Sequence, residues 1–589
     1  MANKNMDNKT NVIHKNIKNF PTKPNVLDYE KAYREFSWEE ADKEIDYFSD
    51  GKINIAHNII DKHVVDGQKA NKIALLYKGR NGEREQYSFK EMAKKTNQFA
   101  NVLVRNNVRK GDRIFIFLPT IPERYISFIG ILKVGAIASP MFAAFQELAL
   151  LDRLSDSKAK IVITNSALFP RLEKIWKDLP FLEKIIIVER EEKTFLQGQN
   201  IISYEKEMLK ANEDFAVVHL DKNDPSYMLY TSGTTGKPKG VVHGHRDALQ
   251  AMMTTKYVLD VHDNDIYWCT ADMGWVTGVV YGILGIWALS GTSVICEERF
   301  SPTNWYQTIE EYKITVWYTA PTAIRMLMGS EIDPKSFNLS SLRFLASVGE
   351  PLNPEAIWWA LEKFGLPFHD TWWQTELGGI SITNYPSMDI KPGSMGKPFL
   401  GIIAEIIDEN GKELPAEKEG DLALKPETIS SLMTQIWENK EKFKSYFKNG
   451  WYITGDRAIK DKDGYFWFVG RADDIINTSG ERVGPFEVES ALVEHPDVVE
   501  TGVIGKPDVL RGEIIKAFIV LKPEAKASDK LKKKIARFVK EHLAGNEYPR
   551  EIEFVDKLPK TRSGKIMRRL LKARELGLPE GDVSTLEDY

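Results

Sequence analysis

Short runs of β-branched and aromatic residues alternate with longer helical stretches along most of the first 385 residues. Arg113-Ile-Phe-Ile-Phe-Leu118 is a β-rich run ended by Pro119, and an amphipathic stretch follows from Glu123 to Val134. Then come Lys160-Ile-Val-Ile-Thr164, a helical segment around Leu172, and Lys184-Ile-Ile-Ile-Val188. A chain that switches between the two periods in this order must cover each strand on both faces. The pattern therefore predicts an α/β architecture of parallel-rich sheets flanked by helices. Residues 386–455 hold more Gly and Pro among short strands, as a small β-subdomain would. Further on, Tyr465–Val469, Val498–Ile504, Glu513–Leu521 and Glu551–Val555 read as strands, with helices at Pro485–Glu494 and Asp529–Leu543. A chain of 589 residues is too long for one core. The expected division is a mobile tail over 1–25, a large domain over 26–472, and a smaller α+β domain over 473–589.

Lys and Arg number 80 against 84 Asp and Glu, a net charge of -4. There is no basic excess of the kind a dedicated nucleic-acid binder shows, although a local basic pocket for a phosphate-rich ligand is compatible with this balance. The only cysteines, Cys269 and Cys296, build neither a disulfide framework nor a CxxC metal site. They read as buried or partly buried free thiols in a reducing compartment. The Asn- and Lys-rich N-terminal stretch lacks the apolar core of a signal peptide. The most apolar segment, Tyr281 to Ile295, is broken by Ser290, Gly291, Thr292 and Ser293 and is too short for a bilayer, so it reads as a core helix followed by a strand. A cytoplasmic protein is expected, with no membrane or nucleic-acid partner.

Tyr230-Thr-Ser-Gly-Thr-Thr-Gly-Lys-Pro-Lys-Gly240 is the clearest motif. Gly233 and Gly236 let backbone N–H groups turn toward an anion, and Thr231, Ser232, Thr234 and Thr235 add donors. Lys237 and Lys239 add positive charge, which suits the β- and γ-phosphates of ATP. Pro238 after Lys237 rules out a Walker A loop. Just beyond, His243-Gly-His245 has no third ligand at metal-site spacing and reads as structural.

The loop resembles the signature loop of the adenylate-forming superfamily, which includes acyl-CoA synthetases, luciferases and peptide-synthetase adenylation domains. Further segments resemble that superfamily in order: Ser347-Val-Gly-Glu-Pro351, Asp370-Thr-Trp-Trp-Gln-Thr-Glu376, Thr454-Gly-Asp456, Gly470-Arg-Ala-Asp-Asp474, Thr478-Ser-Gly-Glu-Arg482 and Leu558-Pro-Lys-Thr-Arg-Ser-Gly-Lys-Ile-Met-Arg-Arg569. The Trp372-Trp373 doublet before Gln-Thr-Glu resembles the acetyl-CoA synthetase branch, as do Trp268-Cys-Thr-Ala-Asp-Met-Gly-Trp-Val-Thr277, Asp50-Gly-Lys-Ile-Asn-Ile-Ala-His57 and Gly581-Asp-Val-Ser-Thr585. The shorter bacterial form is nearest, and the likeness covers nearly the whole chain apart from the tail. Leu377 departs from the threonine usual after the glutamate. No carrier domain or peroxisomal tail is expected.

The resemblance implies an AMP-forming ligase that joins acetate to coenzyme A, with ATP and coenzyme A as co-substrates and Mg²⁺ accompanying ATP. Gly349, Glu350 and Pro351 would hold adenine and ribose at strand ends, much of the contact being backbone. Asp370, Thr371, Trp372, Trp373, Gln374 and Thr375 would continue the nucleotide site. Glu376 would serve Mg²⁺ and the α-phosphate with Thr375. Asp456 would accept from the ribose hydroxyls, and Arg471 and Arg482 would pair with phosphates. Val276, Thr277, Val348 and Trp373 would wall the acyl pocket, Trp373 acting by exclusion. Asp473 would be a hinge between adenylating and thiol-transferring orientations. Thr277, Ser479, Gly480 and Lys540 would meet coenzyme A, and Val493, His495 and Val498 mark a cation position in some relatives. Lys565 would be the catalytic lysine and a target for a lysine acetyltransferase and deacetylase. Rival readings are a propionate or medium-chain ligase, which Trp373 opposes for the longer acids, and a non-catalytic nucleotide sensor, which has no use for Lys565.

Overall fold

The computed structural model describes the chain except residues 1–11, 17, 19, 21, 66, 191–199, 233–237, 299, 479–480, 544–546, 562–564, 582, 584–585 and 587–589, and the side chains of Ser232, Glu481, Arg482 and His542. Within it the alternating pattern becomes two large sheets. The first runs Ile201–Ser203, Lys184–Val188, Ile161–Asn165, Arg113–Ile116, Ile137–Pro140, Pro225–Ser232, Pro238–Gly244 and Gln435–Ile436, side by side in that order. It is parallel as far as Pro225–Ser232 and antiparallel beyond, where the phosphate-loop strands pair as a hairpin. The second runs Arg84–Ser88, Ile73–Lys78, Thr292–Cys296, Ile266–Cys269, Val316–Thr319, Phe344–Val348, Phe368–Trp372, Ile382–Thr383 and Lys397–Pro398. Its middle strands are parallel, so the segments after Val348 and Trp372 leave from neighbouring carboxyl ends.

Pro122–Lys133 forms the helix expected near Glu123, but it is not amphipathic in use. Every residue of it except Glu123 is buried. It packs on helix Phe89–Arg105 and on the first sheet, and Tyr125 meets Trp287 edge-on from the other side at 6.1 Å. Its polar side chains, which suggested a wet face, are spent internally: Lys133 donates to Asp61 and Asn97, both at 2.6 Å, and Arg124 pairs with Asp272. Tyr281–Ile295 is a buried helical segment leading to strand Thr292–Cys296, as expected, with a π turn at Val280–Leu284.

The stretch expected to be a mobile tail is docked over much of its described part. Ile13 and Ile390 exchange backbone hydrogen bonds of 2.9 and 3.0 Å, and the Lys15 ammonium lies 3.1 Å from His369 Nε2. The β-subdomain extends past residue 455. Strands Ala404–Ile407, Glu419–Leu424, Trp451–Lys460, Phe447–Lys448 and Phe466–Arg471 form one antiparallel sheet, so the run at Tyr465 belongs to this body. A fourth sheet follows: Glu481–Val483, Ile476–Thr478, Gly512–Leu521 and Val498–Asp508, with Glu551–Phe554 alongside Gly512–Leu521. Helices Pro485–Val493 and Asp529–His542 contribute to its core. The passage between the last two sheets spans residues 472–475. Among the described residues no helix is long and apolar enough to cross a membrane.

Candidate active site

A cavity of about 1360 Å³ opens where the strand ends, the β-subdomain and the C-terminal body meet. The phosphate-loop hairpin contributes Thr231 and Lys239. Residues Gly233, Thr234, Thr235, Gly236 and Lys237 lie outside the described residues, and of Ser232 only the backbone is described. Lys239 Nζ donates to Glu376 Oε1 at 2.9 Å, and the Tyr446 hydroxyl donates to the same oxygen at 2.9 Å. Lys239 also bonds the Tyr446 hydroxyl. Burial alone would push the Glu376 carboxyl up, but the Lys239 ammonium beside it holds it below the usual range.

A second group fixes Asp456. Its Oδ2 accepts from Trp372 Nε1 at 3.0 Å and from Gln374 Nε2 at 3.1 Å, while Oδ1 faces Arg471 Nε at 3.2 Å. Gln374 is oriented by the Tyr452 hydroxyl, which donates to its Oε1 at 3.0 Å, and Tyr452 stacks on Tyr446 at 5.7 Å. A continuous polar and aromatic path thus joins Lys239 to Asp456. After Val348 the backbone turns at Gly349 with φ +96°, which a side chain would strain. Glu350 is then held by Thr322 Oγ1 at 2.7 Å and Arg325 Nη2 at 2.8 Å. Burial pushes the Asp370 carboxyl up to about 8, and its Oδ1 has no hydrogen-bond partner among the described residues.

Val276, Thr277, Val348 and Trp373 all line this cavity, as do Pro351 and Thr371. Trp373 Nε1 points at the Tyr318 hydroxyl, 3.4 Å away, and the Tyr281 ring meets it edge-on at 5.2 Å. Thr371 Oγ1 bonds the Tyr318 hydroxyl at 2.7 Å. Both cysteines are free and line the cavity.

The C-terminal body contributes Lys560, Lys565 and Arg568. Lys565 is exposed to the cavity, and its loop is closed by the Thr561 N–H to the Lys565 carbonyl at 2.8 Å and the Lys565 N–H to Thr561 Oγ1 at 3.1 Å. Desolvation by the cavity walls, then Arg471, lowers the Lys565 ammonium, opposed by Asp456 and Glu350. Asp473, more than half exposed, lies between the two bodies with Oδ1 3.8 Å from Arg471 Nε.

Other expected residues are not brought to the cavity. Lys540 does not line it and sits over the Tyr548 ring at 5.2 Å. Arg482 lies in strand Glu481–Val483, its side chain outside the described ones, as are Ser479 and Gly480 altogether. Val493 ends a helix and Val498 begins a strand; between them His495 is buried edge-on to Phe538, its Nδ1 accepting from the Asp497 N–H at 3.2 Å. His243 is a core residue: it stacks on Tyr227, its Nε2 donates to the Thr375 carbonyl at 2.8 Å, and its Nδ1 faces Asp247 at 2.6 Å. His245 Nδ1 accepts from the Ile55 N–H at 3.1 Å. Among the described residues no group of three or more His, Cys, Asp or Glu could hold a metal by itself. A nucleotide-borne Mg²⁺ still fits, because the ionised Glu376 carboxylate and the buried, unpartnered Thr231 Oγ1 are hard oxygen donors on one cavity.

A family model described as AMP-binding enzyme matches residues 62–432, and one described as AMP-binding enzyme C-terminal domain matches residues 487–565. The chain belongs to the AMP-binding enzyme family. This AMP-binding enzyme is 54% identical over 569 residues to the acetyl-coenzyme A synthetase of Bacillus subtilis (strain 168), covering 96% of the chain and 98% of the relative. It is 41% identical to that of Methanothrix thermoacetophila, covering 92% and 86%. Among solved structures, the anthranilate CoA ligase AuaEII in complex with anthranoyl-AMP matches at 32% identity and a TM-score of 0.82, covering 89% of the chain and 98% of that chain. A Brucella canis acyl-CoA synthetase matches at 31% and 0.73, covering 94% and 99%.

Proposed function

We propose that this enzyme is an acetate–CoA ligase working through acetyl-AMP. The observation that supports the reading is one cavity lined together by Lys565 of the C-terminal body, by Lys239 and Glu376, by Asp456 and Arg471, and by Trp373. A carboxylate oxygen of acetate attacks the α-phosphorus of ATP, the bond to the β-phosphate oxygen breaks, and pyrophosphate leaves. The Lys565 ammonium stabilises the charge that gathers on the phosphoryl oxygens. Mg²⁺ bound with ATP at Glu376 and Thr231 would supply further charge neutralisation there. Asp456 holds the ribose, while Gly349–Pro351 and the Asp370–Thr375 segment hold the base. Arg471, paired with Asp456, and Arg482 serve the phosphates. In the second step the thiolate of coenzyme A attacks the acetyl carbonyl and AMP leaves. Thr277 borders the route, and Ser479 and Gly480 would approach it by rotation at Asp473.

Trp373 sets chain length by occupying the space a longer acyl chain would need, since attraction alone discriminates a methylene by only about 1–3 kcal/mol. Lys565, exposed on its loop, is also the amine an acetyltransferase would modify, and acetylation would remove the charge the first step uses.

The test is ATP–pyrophosphate exchange driven by acids from acetate to octanoate without coenzyme A. Exchange peaking at acetate, and moving to longer acids in Trp373→Gly, supports the reading. A peak at longer acids in the unmodified enzyme keeps the chemistry and replaces the substrate. Exchange with no acid removes the ligase assignment.

A further inference from the structure

Arg124 is an arginine with no exposed surface, placed by the buried helix Pro122–Lys133. Its guanidinium grips one carboxylate with both arms: Nη1 donates to Asp272 Oδ2 at 2.8 Å and Nη2 to Oδ1 at 2.8 Å. Nη2 also donates to the Met141 carbonyl at 2.9 Å. Asp272 stands at the cavity wall and begins the turn that leads to Val276 and Thr277. Its Oδ1 takes the Gly274 N–H at 2.6 Å and its carbonyl takes the Trp275 N–H at 2.9 Å. The turn is wound tightly around this residue: a Cβ on Gly278 would lie 2.2 Å from the Asp272 carbonyl oxygen, and one on Gly274 would lie 2.7 Å from the Phe142 ring.

Downstream, the same segment passes through the π turn at Val280–Leu284, an irregularity common at functional sites. That turn presents Tyr281 edge-on to Trp373 at 5.2 Å, with the Tyr281 hydroxyl accepting from the Ile380 N–H at 2.7 Å. The segment bearing Val276 and Thr277 is therefore pinned at both ends, by Arg124–Asp272 before them and by Tyr281–Trp373 after them. A buried guanidinium is expensive to desolvate, and this one leaves its Nε without a hydrogen-bond partner among the described residues. Apolar side chains in place of a buried ion pair are often neutral or stabilising, so stability alone does not account for this pair. A bidentate pair instead fixes direction as well as distance.

We infer that Arg124 is a positioning residue for acyl selectivity: through Asp272 it sets how closely Val276 and Thr277 approach Trp373. The inference rests on the acyl-pocket reading above. Arg124→Lys keeps the charge and loses the two-armed geometry, and Asp272→Asn keeps the shape and loses the charge. In each variant kcat/KM is measured for acetate, propionate and butyrate, together with KM for ATP. ATP binding is followed separately by tryptophan fluorescence. The acetate-over-propionate preference is expected to fall about 10-fold through a rise in KM for acetate, in keeping with the cost of small misplacements near a reacting group. KM for ATP should stay within about 2-fold, because the nucleotide contacts lie on other segments. A preference unchanged in either variant that binds ATP normally overturns the inference. So does a loss of acetate and ATP binding together, which is what general destabilisation would give. If Arg124→Lys does not fold, Asp272→Asn, whose side chain reaches the cavity, decides alone. Absence of acetate-driven exchange in the unmodified enzyme would instead strike the proposed function itself.

Discussion

Tyr446 and Lys239 converge on a single oxygen of Glu376, leaving the other oxygen outside these bonds. The phenol is buried beside that carboxylate, which pushes its pKa well up, so it stays protonated and donates. Tyr446→Phe retains the ring that stacks on Tyr452 but removes the donor. A hydrogen bond to a charged group contributes about 1.5–3 kcal/mol, so KM for ATP should rise roughly 10-fold or more while KM for acetate stays put. Initial-rate kinetics with each substrate varied in turn checks this split. Lys565→Ala should lower acetate-driven pyrophosphate exchange at least about 10²-fold, yet leave thioester formation from supplied acetyl-AMP and coenzyme A. If both half-reactions fall together, Lys565 is not confined to the first. Residues such as Lys239, Glu376, Asp456 and Lys565 were legible because their chemistry sits in contiguous motifs. Tyr446 was not, since its partner Glu376 lies 70 residues away and nothing around it in the chain marks it. Arg124 was hidden by a separation of 148 residues from Asp272.

Helix Pro122–Lys133 shows where periodicity misleads. Arg124, Ser127 and Lys133 gave the stretch polar positions, and polar positions normally face water. Here they are buried, with Arg124 and Lys133 on partners inside the fold, and the apolar residues contact core on every side. Leu132→Ala should therefore cost about 2–5 kcal/mol, the range for a fully buried leucine, and lower the thermal midpoint measured by circular dichroism. A surface-like change of a few tenths of a kcal/mol would contradict the packing described. The apolar runs fared better. Lys184–Val188 is a strand over the range its β-branched residues indicate, since covering on both faces leaves such a run no other use. The π turn at Val280–Leu284 left no trace in the sequence, because it shifts hydrogen bonds by one residue without changing which residues are apolar.

Across the whole molecule, the C-terminal body meets the rest of the chain through more than the cavity. Asn353 Nδ2 donates to Ser490 Oγ at 3.0 Å. Nearby, Glu355 and Glu494 bring two carboxyl groups together across the same junction, and burial first, then Glu494, raises Glu355 to about 7. A carboxyl raised on folding contributes stability that is complete below its unfolded pKa near 4.5 and is lost as pH rises through about 7. The junction should be tighter in mildly acidic solution, and Glu355→Gln should flatten that part of the pH dependence. Thermal melts of both proteins across this window provide the check, and parallel pH profiles would refute it. The α/β body and the smaller domain were foreseeable from alternation and length. The contact between them was not, since a junction of this kind leaves no local period.

Cys269 and Cys296 line the chamber in which an acyl adenylate would form. Such a mixed anhydride is a strong electrophile, and a thiolate held beside it would be acylated in place of the intended acceptor. Burial raises the two thiols to about 11 and about 12. At pH 7 only about one Cys269 in 10⁴ is then a thiolate. Sulfur of the protein's own lines this cavity but is held protonated, which would leave an incoming thiol free of internal competition and spare the enzyme from consuming its own intermediate.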